Sequence, residues 1–206
     1  MKTHYTFPLA AALALLIGTA GTDRSDAGEL AIGGKLPKAE RKMKDISGKE
    51  MSLKDARGKN GLLVIFSCNT CPFVIAWEDR YLEIARKCKE KGIGMVAVNS
   101  NEGKRDGADS LEAMKAHAAE KGYTFPYVLD HSSEAADAFG ATRTPQVFLF
   151  DKTLILVYRG AIDDNSRDAG QVNKRYLSDA VDAVAAGRTI AVRSTRSVGC
   201  SIKRAS

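Results

Sequence analysis

Two cysteines, Cys68 and Cys71, stand two residues apart in the stretch FSCNTCPFV. Thiols at this spacing support four kinds of site: a redox couple that exchanges disulfides with other proteins, half of a metal site, a peroxide-reducing centre, or a structural disulfide. The elements that hold the pair and the residues that face it are needed to choose among the four.

The pair lies between a predicted strand and a predicted helix. The apolar run LLVIFS (62–67) has the length and continuity of a buried parallel strand, and Pro72 fits the first turn of a helix. Because a helix N-terminus stabilises a thiolate, we expect Cys68 to be the attacking thiolate and Cys71 the resolving thiol.

Strands and helices alternate through the rest of the chain. The predicted elements are a short hairpin closed by Gly48, the strand 62–67, a helix from Pro72 to near Gly92, a strand at 93–100, a helix at 110–122 capped by Ser110, a strand at 127–129, a helix at 133–139, antiparallel strands at 146–151 and 154–160, and a helix at 172–186. This order predicts an α/β fold whose central mixed sheet is flanked by helices.

Thr144-Pro145 precedes one of these strands, about 75 residues after the cysteine pair. With it the chain resembles the thioredoxin-like superfamily, and within it the AhpC/TSA redoxin group, in the peroxiredoxin-like branch that keeps a C-x-x-C. The blocks that carry the resemblance span nearly all of residues 36–203: FSCNTCPFV, WEDR (77–80), VAVNSN (96–101), FPYVLD (125–130), ATRTPQVFLFD (141–151), YRGAIDDN (158–165) and SVGCSIK (197–203).

The resemblance implies a thioredoxin-like fold with a redoxin domain over 36–187, and a thiol–disulfide oxidoreductase whose partners are protein thiols or disulfides. It implies that Pro145 is cis and forms, with Thr144, a platform for the substrate beside the sulfurs. We expect the active-site rim to consist of Asn69, Thr70, Pro72, Arg143, Asp163 and Asp164. No cofactor, bound metal or nucleic acid is predicted.

Other functions remain open. Peroxiredoxins place Thr or Ser three residues before the peroxidatic cysteine and an Arg at the later strand, whereas Ile65 and Pro145 stand there, with Arg143 close by. A peroxiredoxin-like thiol peroxidase is therefore the second hypothesis. A Sco-like copper chaperone would need a histidine just before a strand as the third copper ligand. His117, predicted on an exposed helix face, and His131 both lie elsewhere. A non-catalytic binding module with a stable disulfide is the remaining alternative.

Two further cysteines follow the pair. Cys88 lies on the apolar face of its predicted helix and is expected in the core. Cys200 lies in a polar segment, and we predict an auxiliary redox role in which it resolves or stores oxidation from Cys68. A disulfide with Cys88 and a free or intermolecular thiol are the alternatives.

The strand before the motif carries no ionisable group, so proton transfer there would use water or another residue. Asp163, Asp164 and Glu78 are the candidates, and the sequence does not choose among them. Asn99 and Asn101 are expected to cap a loop after the second strand of the sheet.

The first 27 residues have the layout of a secretory signal, with Lys2, an apolar run at 9–17, and cleavage positions after Ala20 and Ala27. We therefore expect an exported protein, periplasmic or extracellular, without stable membrane insertion. The 44% hydrophobic and 27% charged content fits one soluble globular domain. The net charge of +6 resides mostly in residues 188–206, which we interpret as a solvated basic C-terminal tail and not a nucleic-acid footprint.

Overall fold

The computed structural model describes residues 1–2 and 28–205, and this part of the chain contains nine strands, four α-helices and three short 3-10 helices. The strands are β1 (Met43–Asp45), β2 (Glu50–Met51), β3 (Gly61–Ser67), β4 (Ile93–Asn99), β5 (Tyr127–Leu129), β6 (Arg143–Thr144), β7 (Gln146–Asp151), β8 (Leu156–Gly160) and β9 (Cys200–Ser201). The helices are α1 (Pro72–Glu90), α2 (Leu111–Lys121), α3 (Glu134–Phe139) and α4 (Tyr176–Ala185).

Seven strands form a mixed sheet in the order β2-β1-β5-β4-β3-β7-β8. Strands β3, β4 and β5 run parallel, whereas β7 and β8 are antiparallel, and the β1–β2 hairpin lies at the other edge. The predicted α/β fold with a mixed sheet is therefore confirmed. Strands β6 and β9 form a separate two-stranded pair.

The predicted signal peptide falls almost wholly on residues 3–27, which lie outside the described residues. Within the described part, none of the helices is long and apolar enough to span a membrane.

Two predicted elements begin later than expected because side chains hold the preceding residues in turns. The carboxylate of Asp164 accepts the backbone N–H groups of Asn173 and Lys174, at 3.0 and 3.1 Å, so the predicted helix at 172–186 starts only at Tyr176. Asp151 does the same for Ile155, at 3.1 Å, which delays β8 to residue 156.

The core lies on both faces of the sheet, and β3 is buried along its whole length. Because side chains alternate along a strand, Leu63 and Ile65 face a cluster shared with α1, α2 and α4. Val64 and Phe66 face the opposite cluster, where the Phe66 ring meets Phe139 of α3 edge-on at 5.2 Å. This central strand delivers Cys68 to its carboxyl end.

The interpretation of residues 188–206 as a solvated tail is wrong for much of the segment. The backbone of Arg159 exchanges hydrogen bonds with Arg193 and Thr195, so this stretch covers the outer edge of β8. Further along, β9 pairs with β6 and Ile202 is buried. Backbone pairing along otherwise open strand edges explains why a basic, polar segment packs against the domain.

Candidate active site

The two cysteines lie in the turn between β3 and α1. Cys68 follows the strand directly, and Cys71 occupies the N-cap position of α1, with Pro72 at the first helical position. Both are almost fully buried, with exposed fractions of 2% and 3%, and all four cysteines are free thiols. The sequence placed Cys68 at the helix N-terminus, whereas the structure puts Cys71 there.

Thr144 touches both sulfurs. Its hydroxyl lies 3.3 Å from the Cys68 sulfur, and its carbonyl oxygen accepts a hydrogen bond from the Cys71 thiol at 3.0 Å. The Thr144–Pro145 peptide bond is cis. The structure thus brings together Cys68, Cys71, Thr144 and Pro145, while the role of the last two as a substrate platform stays a prediction.

The pKa values of the two thiols are shifted in opposite directions. The Cys68 thiol lowers the pKa of Cys71 by donating to its sulfur, burial opposes this, and the Cys200 thiol and the Val74 N–H lower it further. The pKa of Cys68 is raised, first by its bond to Cys71 and then by burial. The Thr144 carbonyl bonds only a protonated Cys71, which works against its ionisation. Because more groups donate to Cys71, the first proton leaves that sulfur, and attack by Cys68 stays a prediction.

Cys200 is the third thiol of the site. In the β6–β9 pair it stands directly opposite Thr144, and its side chain interacts with the Cys71 sulfur. Burial, and next the contact with Cys71, raise the pKa of Cys200. The sequence linked Cys200 with Cys68, but the structure places it beside Cys71. Cys88 is buried in the core, as predicted.

A buried carboxylate that sequence reasoning missed, Asp109, holds the turn between the cysteines. It is fully buried and accepts the backbone N–H of Asn69 at 2.9 Å, the amide of Asn99 at 2.7 Å and the amide of Asn101 at 2.9 Å. Asn99 and Asn101 therefore bind this carboxylate in addition to shaping their own loop. Position 109 directly precedes the Ser110 cap, so in the sequence it looks like an ordinary loop acid.

Three polar groups of Asn69, its backbone N–H and both ends of its side-chain amide, are held by hydrogen bonds. Its side-chain oxygen accepts from the Tyr127 hydroxyl at 2.9 Å, and its side-chain nitrogen donates to the Ala108 carbonyl at 2.7 Å. Thr70 and Pro72 are exposed beside it. Of the predicted rim residues, the motif's own three are thus at the site, with Asn69 held inside and the other two open to solvent.

The remaining predicted rim residues have other partners. Asp163 is buried in an ion pair with Arg80 at 2.9 Å and accepts from the Trp77 indole at 2.9 Å, so its carboxylate is bound inside the fold instead of standing open at the rim. Asp164 is exposed, and the Lys174 backbone N–H lowers its pKa. Among the described residues no hydrogen bond links either carboxylate to a cysteine. Arg143 is exposed and donates to the Gly199 carbonyl at 3.0 Å.

Glu78 belongs to a second polar cluster, on α1. Burial acts to raise its pKa, but hydrogen bonds with His117 and Tyr123 outweigh burial and lower it. The Tyr123 hydroxyl donates at 2.8 Å, and Lys121 lies 3.7 Å away. His117 is half-buried in this cluster, which corrects its prediction as an exposed residue.

His131, the other histidine considered as a copper ligand, is exposed, and its Nδ1 lies 3.0 Å from a carboxylate oxygen of Glu102. Within residues 28–205, no group of three or more His, Cys, Asp or Glu side chains is arranged to hold a metal ion.

Curated relatives of the chain include Thiol-disulfide oxidoreductase ResA from Geobacillus thermodenitrificans, 30% identical over 112 residues that cover 53% of this chain and 59% of the relative. The protein of the same name from Bacillus anthracis is 28% identical over 110 residues, 52% of this chain and 58% of the relative. The chain thus spans less than two thirds of the length of these curated relatives.

Solved structures match over more of the chain. A hypothetical protein from Sinorhizobium meliloti is 33% identical with a TM-score of 0.79, over 87% of this chain and 97% of the other. An uncharacterized conserved protein from Geobacillus kaustophilus gives 34% identity and a TM-score of 0.78, over 85% and 93%. A peroxidoxin, BcpB from Mycobacterium tuberculosis, matches with a TM-score of 0.59 at 13% identity over 77% and 98%, which shows a shared thioredoxin-like fold alone.

The family model described as Redoxin matches residues 31–175, more than half of the sequence. This match includes the cysteine pair, the cis proline and the strands that position them. The chain belongs to the Redoxin family.

Proposed function

We propose that the protein is a thiol–disulfide oxidoreductase whose redox couple is Cys68 and Cys71. The observation that carries the proposal is the buried dithiol whose two sulfurs share contacts with Thr144 and shift each other's pKa in opposite directions. Because each thiol shifts the pKa of the other, the pair loses its first proton readily, and the remaining proton is shared between the two sulfurs. The names of the curated relatives point to the same chemistry.

In the reducing direction, we assign attack on a substrate disulfide to Cys68, whose proton passes to Cys71. The Cys68–substrate bond forms as the substrate's own sulfur–sulfur bond breaks, and the first substrate thiolate leaves and takes up a proton from water. Cys71 then loses this proton and attacks the Cys68 sulfur, so the Cys68–Cys71 bond forms as the Cys68–substrate bond breaks and the second substrate thiolate leaves. The couple has then given two electrons to the substrate disulfide. The groups that lower the pKa of Cys71 help it lose this proton and attack as a thiolate. This compensates for the absence of an ionisable residue in β3.

The test is reduction of insulin disulfides by the wild-type protein and by Cys68→Ser and Cys71→Ser. We expect both variants to lose turnover, and only the variant that keeps the attacking sulfur to accumulate a mixed disulfide with substrate. Accumulation in Cys68→Ser instead of Cys71→Ser would reverse the assignment. Cys88→Ala is the matched control, because Cys88 is buried near the C-terminal end of α1, whereas the pair lies at its N-terminal end. A wild-type protein without activity would refute the proposed function.

Thiol peroxidase activity is less well supported. Arg143, the residue nearest in sequence to the usual peroxide-binding arginine, donates to a backbone carbonyl of the C-terminal segment. Hydrogen peroxide consumption by the same variants measures this activity directly. A wild-type rate that both cysteine substitutions abolish would establish it.

We also propose that the protein is exported and acts on protein thiols or disulfides outside the cytoplasm. The support is the N-terminal sequence, with its basic start, short apolar run and small residues before Ala20 and Ala27. Cell fractionation with N-terminal sequencing of the mature chain tests this. An intact Met1 terminus in the cytoplasmic fraction would contradict it.

A further inference from the structure

The C-terminal segment forms an added strand at the site. In the β6–β9 pair, Cys200 stands opposite Thr144 and Ser201 opposite Arg143. The Ile202 N–H donates to the Thr142 carbonyl at 3.0 Å and extends the pairing. Because Thr144 contacts both sulfurs of the couple, this pairing fixes the side chain of residue 200 beside them.

The sequence of the segment suits this placement. A Cβ on Gly199 would lie 2.2 Å from the Thr144 carbonyl oxygen, a backbone atom with little freedom to move. Beyond the strand, the Lys203 N–H donates to the Asn101 side chain at 2.9 Å, and Arg204 pairs with Asp137 at 2.7 Å. Before the strand, Arg143 donates to the Gly199 carbonyl at 3.0 Å, so the segment is held on both sides of Cys200.

The segment lies next to a couple that is itself closed to solvent. Cys68 and Cys71 are 2% and 3% exposed, whereas Cys200, which stands opposite Thr144, is half-buried. An extended peptide recognises a protein most simply by pairing with an open strand edge. Here β9 takes the edge that leads to the couple, and it brings its own cysteine.

We propose that β9 is a tethered substrate: it occupies the peptide-binding edge at Thr144 and takes over the disulfide of the couple as a Cys71–Cys200 bond. The inference rests on the proposed function. An external protein substrate then competes with β9 for the edge. The disulfide is held at Cys200, the most exposed of the three cysteines.

The exchange is balanced within the three sulfurs. The Cys200 sulfur attacks Cys71 of the Cys68–Cys71 disulfide, so the Cys71–Cys200 bond forms as the Cys68–Cys71 bond breaks. The electron pair of the broken bond stays on Cys68, which takes up the proton that Cys200 loses. No outside oxidant or reductant is consumed.

Peptide mapping under non-reducing conditions detects the exchanged form. Trypsin releases the couple within residues 60–80 and Cys200 within residues 197–203, while Cys88 falls in a third peptide. We expect full-length Cys68→Ser, treated with one equivalent of diamide, to link 60–80 to 197–203; diamide takes up the two electrons and two protons released. Dimers or free thiols in place of this link would overturn the proposal.

Opening the edge without changing any sulfur tests the competition. Gly199→Ala introduces the clash with Thr144, and Gly107→Ala is the control because an added Cβ there meets nothing within 4 Å. We expect iodoacetamide to alkylate reduced Cys71 about tenfold faster in Gly199→Ala, the change in opening equilibrium expected from losing one or two net hydrogen bonds. The KM for insulin should fall, which a misfolded variant would not show.

Two results separate the failure of this inference from failure of the proposed function. If wild-type protein reduces insulin but Cys68→Ser forms no link and folded Gly199→Ala alkylates at the wild-type rate, the tethered substrate is refuted and the oxidoreductase stands. If wild-type protein neither reduces insulin nor forms a Cys68–Cys71 disulfide, the proposed function fails, and the exchange fails with it.

Discussion

Replacing Asp109 by Asn should both destabilise the protein and change the chemistry of Cys68. The carboxylate is fully buried and accepts three hydrogen bonds, from Asn69, Asn99 and Asn101. An amide keeps one acceptor oxygen but turns an NH2 group toward at least one donor. Asp109 is thus a positioning residue, because it acts on the couple through the turn that contains Asn69.

The expected loss of unfolding free energy follows from these hydrogen bonds. One unsatisfied buried donor costs about 1–3 kcal/mol, and the loss of charge from the remaining bonds costs about 1 kcal/mol more. For a domain of this length, a loss of about 2–4 kcal/mol lowers Tm by about 4–16 °C. The negative charge of Asp109 also helps to raise the pKa of Cys68, so the amide should lower that pKa.

Two measurements separate the positioning role from simple destabilisation. Urea unfolding of reduced Asp109→Asn gives the stability change, with the exposed Asp106→Asn, three residues away, as the control. Thiolate absorbance against pH, in a background with Cys71→Ser, Cys88→Ala and Cys200→Ser, gives the pKa of Cys68, the one cysteine left. If Asp109→Asn matches Asp106→Asn to within about 0.5 kcal/mol and leaves the titration unchanged, the reasoning fails.

Three other substitutions test parts of the same structure. Asp163→Asn removes the buried partner of Arg80 and should lower the free energy of unfolding in urea by about 3–5 kcal/mol. Asp79→Asn, on the exposed face of α1, is the control and should change it very little. Equal losses in the two variants would contradict the burial argument. Glu78 has a lowered pKa in the folded protein, so the stability it contributes is present above the ordinary value of 4.5 and disappears as pH falls through the folded pKa. In urea unfolding, the stability difference between wild type and Glu78→Gln should therefore shrink below that pH. A difference that stays constant with pH would refute the linkage. Thr144→Ala removes the hydroxyl that lowers the pKa of Cys68, so the thiolate titration should move upward, while Thr144→Ser should keep the wild-type curve.

The sequence was sufficient where the pattern is local. The continuous apolar run of β3, the Pro72 start of α1 and the Ser110 cap each encode their element within a few residues, and the structure has all three. The cysteine pair and Thr144-Pro145 were predicted to meet because the resemblance supplied the topology.

What the sequence did not provide depends on contacts between distant segments. Asp109 reaches Asn69 across 40 residues, and Cys200 reaches the couple only because its backbone pairs with β6. The sequence showed no partner for Asp163, because Trp77 and Arg80 lie more than 80 residues earlier in the chain. Composition and periodicity carry no signal for such pairings, since a polar residue in a loop looks the same whether it is buried or exposed.

The hydrogen bond between Trp77 and Asp163 gives the protein an optical reporter. Trp77 is the chain's single tryptophan, it is 2% exposed, and its indole N–H donates to a carboxylate that also pairs with Arg80. All intrinsic tryptophan emission therefore comes from one fixed position on α1, six residues after Cys71. Changes at the N-terminal half of this helix during oxidation or substrate exchange can be followed in real time without attaching a dye.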